Sequence, residues 1–144
     1  MKYTCRIEIN KPLETVVSLF DNPDYLGKWM NGLQSFEPLS GTPGQPGAKS
    51  KLKFKMGNRE IEMIETITVR NLPAEFSGTY ETKGVVNIVR NYFESLPGNK
   101  TSYISEQEFQ FTGFMKLIGM LMPGAFKKQS MKHLADFKNF AENN

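Results

Sequence analysis

The sequence predicts an α+β fold: a seven-stranded antiparallel sheet wrapped around a long C-terminal helix, with two short helices between strands one and two. Three observations lead there. Polar and apolar residues alternate in a short N-terminal stretch and again, divided by turn signals, from Leu33 to about Phe111. Mostly helical spacing occupies the gap between them. Helical periodicity then returns at Gly113 and persists to the end of the chain.

Residues 3 to 9 place Tyr3, Cys5, Ile7 and Ile9 on one face and Thr4, Arg6 and Glu8 on the other, the period of a half-buried strand. Asn10-Lys11-Pro12 offers an N-cap and a proline near a first turn, and Leu13, Val16, Val17, Leu19 and Phe20 follow, predicting a helix over about 12–21. Asn22-Pro23-Asp24 breaks it. A second short helix carries Tyr25, Leu26, Trp29 and Met30 and ends near Asn31-Gly32. Six strands are then expected at 33–39, 50–56, 59–70, 75–82, 85–96 and 100–111. The turns between them include Gly41 to Gly47, Gly57-Asn58, Asn71-Leu72-Pro73 and Pro97-Gly98-Asn99, short enough to join antiparallel neighbours.

At about 100° per residue, Phe126, Ser130, His133, Leu134, Phe137, Phe140 and Ala141 form one stripe of the last helix. Lys128, Lys132, Ala135, Asp136, Asn139 and Glu142 fall opposite. Phe114, Leu117, Ile118, Leu121 and Met122 make an apolar stripe of their own, before Pro123 removes a backbone donor and kinks the helix. No repeat, linker or low-complexity tract interrupts the chain, so one domain over 1–144 is expected.

The composition narrows the function classes. A chain of 144 residues is near the commonest domain size and hides roughly 68–70% of its unfolded surface on folding. Eighteen basic and 15 acidic residues, net +3, are well mixed, which does not make the clustered basic face of a nucleic-acid binder. Cys5 is the only cysteine and cannot form an internal disulfide, so a cytoplasmic location is expected. The N-terminus lacks the apolar run of about 7–15 residues that a signal peptide needs. Phe114 to Phe126, interrupted by Lys116 and Pro123-Gly124, falls short of the roughly 20 residues that span a bilayer, so no integral membrane association is expected. Cys5 lies mid-strand on an apolar face, where a thiol is inert. One His and one Cys make no convincing zinc set. The Gly41–Gly47 loop leads into a strand, not a helix N-terminus, so it is no phosphate cradle. No metal or cofactor is expected.

The order of elements, with Pro12, Val16 and Phe20 in the first helix, Asn22-Pro23 and Trp29 in the second, the Gly-rich turn ending at Gly47 before a strand, and the terminal amphipathic helix, resembles the START-like superfamily, also called SRPBCC. That superfamily contains polyketide cyclases, lipid-transfer domains and birch-pollen-allergen-like proteins. The resemblance covers the whole chain and implies a helix-grip fold, with a cavity between sheet and last helix that takes lipids, hormones, polyketides or quinones in different members. It supplies no universal catalytic residue.

The faces of the strands give candidate lining residues. Leu52, Phe54 and Met56 alternate with Lys51, Lys53 and Lys55, so the apolar trio points inward. Ile61, Met63, Ile67 and Val69 share a face with one carboxylate, Glu65. Unpaired among such neighbours it would suffer several kcal/mol of desolvation. Glu65 is therefore a ligand-facing polar group or a raised-pKa acid, unless a bulge or an exposed strand end turns it to solvent. His133, the only histidine, sits near the centre of the helix stripe. It can bond a ligand, act as an acid or base near neutral pH, or serve as a structural histidine bonded to a strand carbonyl or carboxylate. Tyr103, Ser105, Gln107, Phe109 and Phe111 alternate on one face and Asn87, Val89, Asn91 and Phe93 on a matching one. This mixture suits an amphipathic ligand, although Phe93, Phe109 and Phe111 equally suit plain core packing. Trp29 is expected to cap the sheet, and the methionines Met115, Met120 and Met122 to pack under a lid.

The expected ligand contacts are thus Trp29, Phe54, Met56, Met63, Glu65, Asn91, Tyr103, Ser105, Gln107, Ser130 and His133. Three functions fit: carriage of a hydrophobic or amphipathic small molecule such as a lipid, polyketide or quinone; a cyclase or dehydratase-like enzyme using Glu65 or His133; or a co-chaperone-like protein-interaction module. The oligomeric state is not legible.

Overall fold

Alternation in the sequence becomes one sheet. The structure, a computed structural model, describes residues 1–144. Strands β1 (Lys2–Ile9), β2 (Leu33–Ser40), β3 (Lys49–Met56), β4 (Arg59–Asn71), β5 (Glu75–Thr82), β6 (Val85–Leu96) and β7 (Lys100–Phe111) pair antiparallel in the order β1-β7-β6-β5-β4-β3-β2. The short turns make β2 to β7 a meander. Strand β1 returns to its far edge, with Cys5 opposite Ser105 and Tyr3 opposite Gln107.

Helix α1 (Leu13–Asp21) matches the expected span, but its cap does not. Pro12 occupies the N-cap position without a side-chain bond, and the Asn10 N–H instead donates to Glu142 Oε2 at 2.7 Å. Asn22 Oδ1 accepts from the Asp24 N–H at 3.0 Å, which starts a 3-10 turn, Pro23–Tyr25. A single α turn follows, α2 (Leu26–Trp29), so Met30 already lies beyond the helix. The expected kink at Pro123 is a complete break. Helix α3 (Phe114–Leu121) and helix α4 (Pro123–Glu142) are separated by Met122 at φ −132°, ψ 49°. The cause is local: a residue before proline is pushed out of the helical region, and proline is favoured as the first residue of a new helix.

Two features bend the sheet. The β4–β5 register shifts between Ile67 and Val69, a bulge that leaves Val69 exposed, not on the inner face with Ile67 as its spacing suggested. Opposite Ile67 stands Gly78, where a Cβ would come within 2.8 Å of the Thr66 carbonyl oxygen, so only glycine lets the strands close up there. Near the bulge, Arg70 grips Asp21 at the end of α1 through two bonds of 2.7 Å and reaches the Gly44 carbonyl at 3.3 Å. One side chain therefore ties α1, β4 and the Gly41–Gly47 turn together.

The core lies under one part of this sheet. Phe20 is its hub, with ring centroids 4.9–6.0 Å from Trp29, Phe76, Phe93, Tyr103 and Phe137. Leu134, Phe137 and Ala141 of the α4 stripe are fully buried here, beside Cys5, Ile9 and Val16. The α4 backbone runs close to β1, α1 and α2. Leu52, Ile67 and Val89, although buried on the inner face of β3, β4 and β6, do not belong to this cluster. Phe137→Ala should destabilise the fold by about 3–5 kcal/mol in urea titration, since it removes a ring with partners on every side.

Candidate functional site

The inner face beyond the aromatic core carries a ladder of polar side chains. It follows from register. Ser50, Glu65, Tyr80 and Asn87 are successive cross-strand partners on β3, β4, β5 and β6. Gln107 and Ser105 on β7 face inward with Asn91 on β6 and Tyr3 on β1. Within the ladder Tyr80 Oη donates to Glu65 Oε2 at 2.8 Å, Asn87 Nδ2 to Gln107 Oε1 at 3.1 Å, Gln107 Nε2 to Ser105 Oγ at 2.7 Å, and Tyr103 Oη to Asn91 Oδ1 at 3.2 Å. From α4, Ser130 meets Tyr3 Oη at 2.7 Å.

Glu65 is 8% exposed and points inward, because the bulge of β4 falls after it, not at it. Burial raises its carboxyl above the ordinary range, and the Tyr80 hydroxyl only partly offsets this. Tyr80 is in turn pushed well above an ordinary phenol by burial and by the carboxyl beside it. The only sealed side-chain polar atom that lacks a partner is Trp29 Nε1. Glu65 Oε1 and Asn91 Nδ2 make no protein hydrogen bond, so both must border space that water can enter.

His133 takes a different place from the one its helix position suggested. Its ring packs on Trp29 with centroids 5.1 Å apart, not on a strand carbonyl or a carboxylate. Burial lowers its pKa to about 4, against the raising effect of Asp136 on the same helix, so it is neutral at pH 7 and no proton donor there. Glu65 and His133 have separate neighbours, Tyr80 for one and Trp29 for the other, and they form no dyad.

The other expected contacts divide. Ser105, Gln107 and Asn91 are buried in the ladder, with Met63 and Phe54 half-buried on the same face. Tyr103 is core: it is 1% exposed and stacks on Phe93 at 4.8 Å, so only its hydroxyl reaches the ladder. Trp29 is likewise packed between Phe20 and Phe137. Met56 is 41% exposed at the tip beside Gly57, not folded inward with Leu52. Ser130 is occupied by Tyr3. Tyr3 and Tyr80 were missing from the expected set; counting back from the β4–β5 turn puts Glu81 opposite Glu65, and it is the bulge between Ile67 and Val69 that brings Tyr80 there instead.

An open depression of about 580 Å³ lies elsewhere, between the α2–β2 connection and the C-terminal end of α4, and of the expected contacts only Trp29 lines it. A smaller one of about 230 Å³ lies between α3 and the ends of β1 and β7, at Met1, Phe109 and Phe111. Of the apolar pocket expected under the sheet, the aromatic core fills the part nearest α1 and α2.

No protein-family model matches the sequence, and no curated protein does. Solved structures do match its fold. The Zhui aromatase/cyclase from Streptomyces sp. R1128 superposes with a TM-score of 0.80 at 9% identity, over 99% of this chain and 93% of the other. A START superfamily protein from Mycobacterium smegmatis gives 0.74 at 14% identity, over 99% and 97%. Ara h 8.0201 gives 0.78 at 13% identity, over 100% and 99%. At these identities the likeness is one of fold, and the fold is the helix-grip fold of START-like proteins.

Two titrations check this electrostatic picture. The unfolded chain protonates His133 near its ordinary value of 6.5 and the folded chain only at about 4, so unfolding takes up a proton between them. Stability should fall by up to about 3 kcal/mol as pH drops through that window, and His133→Phe should flatten the fall. Glu65 has the opposite sign: its raised pKa makes stability decline as pH rises above 4.5. Glu65→Gln, which keeps an acceptor for Tyr80, should therefore raise the thermal midpoint at pH 8 more than at pH 4.

Proposed function

We propose that the chain binds a hydrophobic or amphipathic small molecule on the inner face of the sheet, between β3–β7 and α4. One observation carries this reading: hydrogen-bonding capacity at Glu65 Oε1 and Asn91 Nδ2 is left open beside Leu52, Ile67 and Val89, apolar residues outside the aromatic core. A ligand that buries an apolar body there while offering a hydroxyl, carbonyl or amine to the ladder would satisfy both. Arg70, at the rim, is already held by Asp21 and is not free to meet an acidic headgroup. A neutral lipid alcohol, polyketide or quinone-like skeleton fits better than a fatty acid anion.

A second reading is a cyclase or dehydratase-like enzyme, favoured by the Glu65–Tyr80 pair: a buried carboxyl of raised pKa with a phenol at 2.8 Å can hold and return a proton. The fold shared with an aromatase/cyclase supports it. Glu65 is the proton carrier in this reading, since burial lowers the pKa of His133 to about 4, which makes it a weak base, and its ring packs on Trp29.

Val89→Phe separates binding from packing. Val89 faces Gly78 across β5 and β6, and a larger ring there needs room. If the face is open, the variant folds with less than about 1.5 kcal/mol lost and no longer shows the thermal shift that wild type shows with a long-chain alcohol or naphthoquinone. A loss of about 1–3 kcal/mol, with no wild-type shift for any member of such a panel, would mean that the face is already filled.

A further inference from the structure

Helix α3 turns its apolar side outward. Its Met115 and Gly119 side rests on Gly84 and Phe111, where a Cβ on Gly119 would come within 2.6 Å of the Phe111 ring. The opposite side presents Phe114, Leu117, Met120 and Leu121, which with Met122 are 74, 50, 75, 71 and 56% exposed. Isolated exposed apolar residues are ordinary, but five adjoining large ones mark a contact surface.

The charge around this face tells what it contacts. From Phe109 to Ala135 the chain contains four lysines and no acidic residue, although the molecule as a whole nearly balances its charges. Lys132 is neutralised by Asp136, while Lys116, Lys127 and Lys128 take part in none of the ion pairs. Lys116 borders the same depression as Met120. A second copy of this chain would bring the same lysines against each other. An anionic surface with an apolar interior answers both halves of the pattern. No helix is long and apolar enough to cross a membrane, and the eight residues of α3 span only about 12 Å.

We propose that α3, with the first turns of α4, docks on the surface of an anionic phospholipid bilayer. Phe114, Leu117, Met120 and Leu121 enter the headgroup boundary, and Lys116, Lys127 and Lys128 lie over acidic headgroups. This does not depend on what the inner face binds.

The test is co-sedimentation of the full chain with vesicles of phosphatidylcholine and phosphatidylglycerol in roughly equal parts, against phosphatidylcholine alone. The chain should pellet with the mixed vesicles, weakly with the neutral ones, and be released by high salt. Lys127→Gln and Lys128→Gln should each weaken partition about fivefold, the factor equivalent to ~1 kcal/mol per lysine. Met120→Glu should abolish binding with an unchanged circular dichroism spectrum and melting curve. No binding to either vesicle, or equal binding to both that salt leaves untouched, would overturn the proposal. So would a concentration-dependent dimer that Met120→Glu disrupts in a chain that ignores vesicles; the face would then be a self-association surface.

Discussion

The interaction on which the remaining structure depends is the aromatic junction at Phe20, where rings from α1, α2, β5, β6, β7 and α4 meet within 6.0 Å. Each ring removes a large apolar area from water, and edge-on contacts add to that gain. Because Phe137 and Leu134 are drawn into this junction, α4 is fixed along β1 and over the α1–α2 side of the sheet. The inner face of β3 and β4 receives no comparable filling from it. Asymmetric gripping, with one sector packed by rings and the other lined by side chains outside the core cluster, is what separates a stabilising region from a region free to do something else.

The free region is polar by construction. A buried face that needed only to be stable would carry aliphatic side chains, yet Ser50, Glu65, Tyr80, Asn87, Asn91, Ser105 and Gln107 occupy successive inward positions. Most satisfy one another, which is the condition for their burial. Glu65 is the exception in kind, an ionisable group whose pKa burial raises and whose single donor, the Tyr80 hydroxyl, only partly offsets this. A ladder that orders itself while keeping a few atoms open would suit the proposed ligand, one with both apolar bulk and a polar handle. The exposed side of α3 is a separate departure from economy, since it leaves apolar area in water at the opposite end of the β5–β7 strands from the Phe20 junction.

Much of this was legible from residue order. Strand boundaries on β5, β6 and β7 were readable because Asn71-Leu72-Pro73 and Pro97-Gly98-Asn99 punctuate clean alternation, and the α4 stripe because its period is unbroken. What escaped was set by non-local geometry. The bulge beyond Ile67 turns Val69 outward although its spacing is that of an inner residue, and nothing within β4 announces the extra residue. Met56 alternates correctly but sits where the strand runs out past its cover. The Glu65–Tyr80 contact depends on register between two strands, and the placement of His133 against Trp29 depends on where α2 lands; neither is written in local pattern. The break at Met122 was half legible, since proline marked the place but not the extent.

The central claim, an unfilled and accessible space beside the β3–β6 inner face, is tested most directly by methyl NMR of the protein under xenon pressure, because xenon enters apolar voids and shifts the methyls that line them. The account predicts that the methyls of Leu52, Ile67 and Val89 move with pressure while those of Val16 and Leu134, inside the aromatic core, stay put. Uniformly unmoved methyls on β3, β4 and β6 would contradict it.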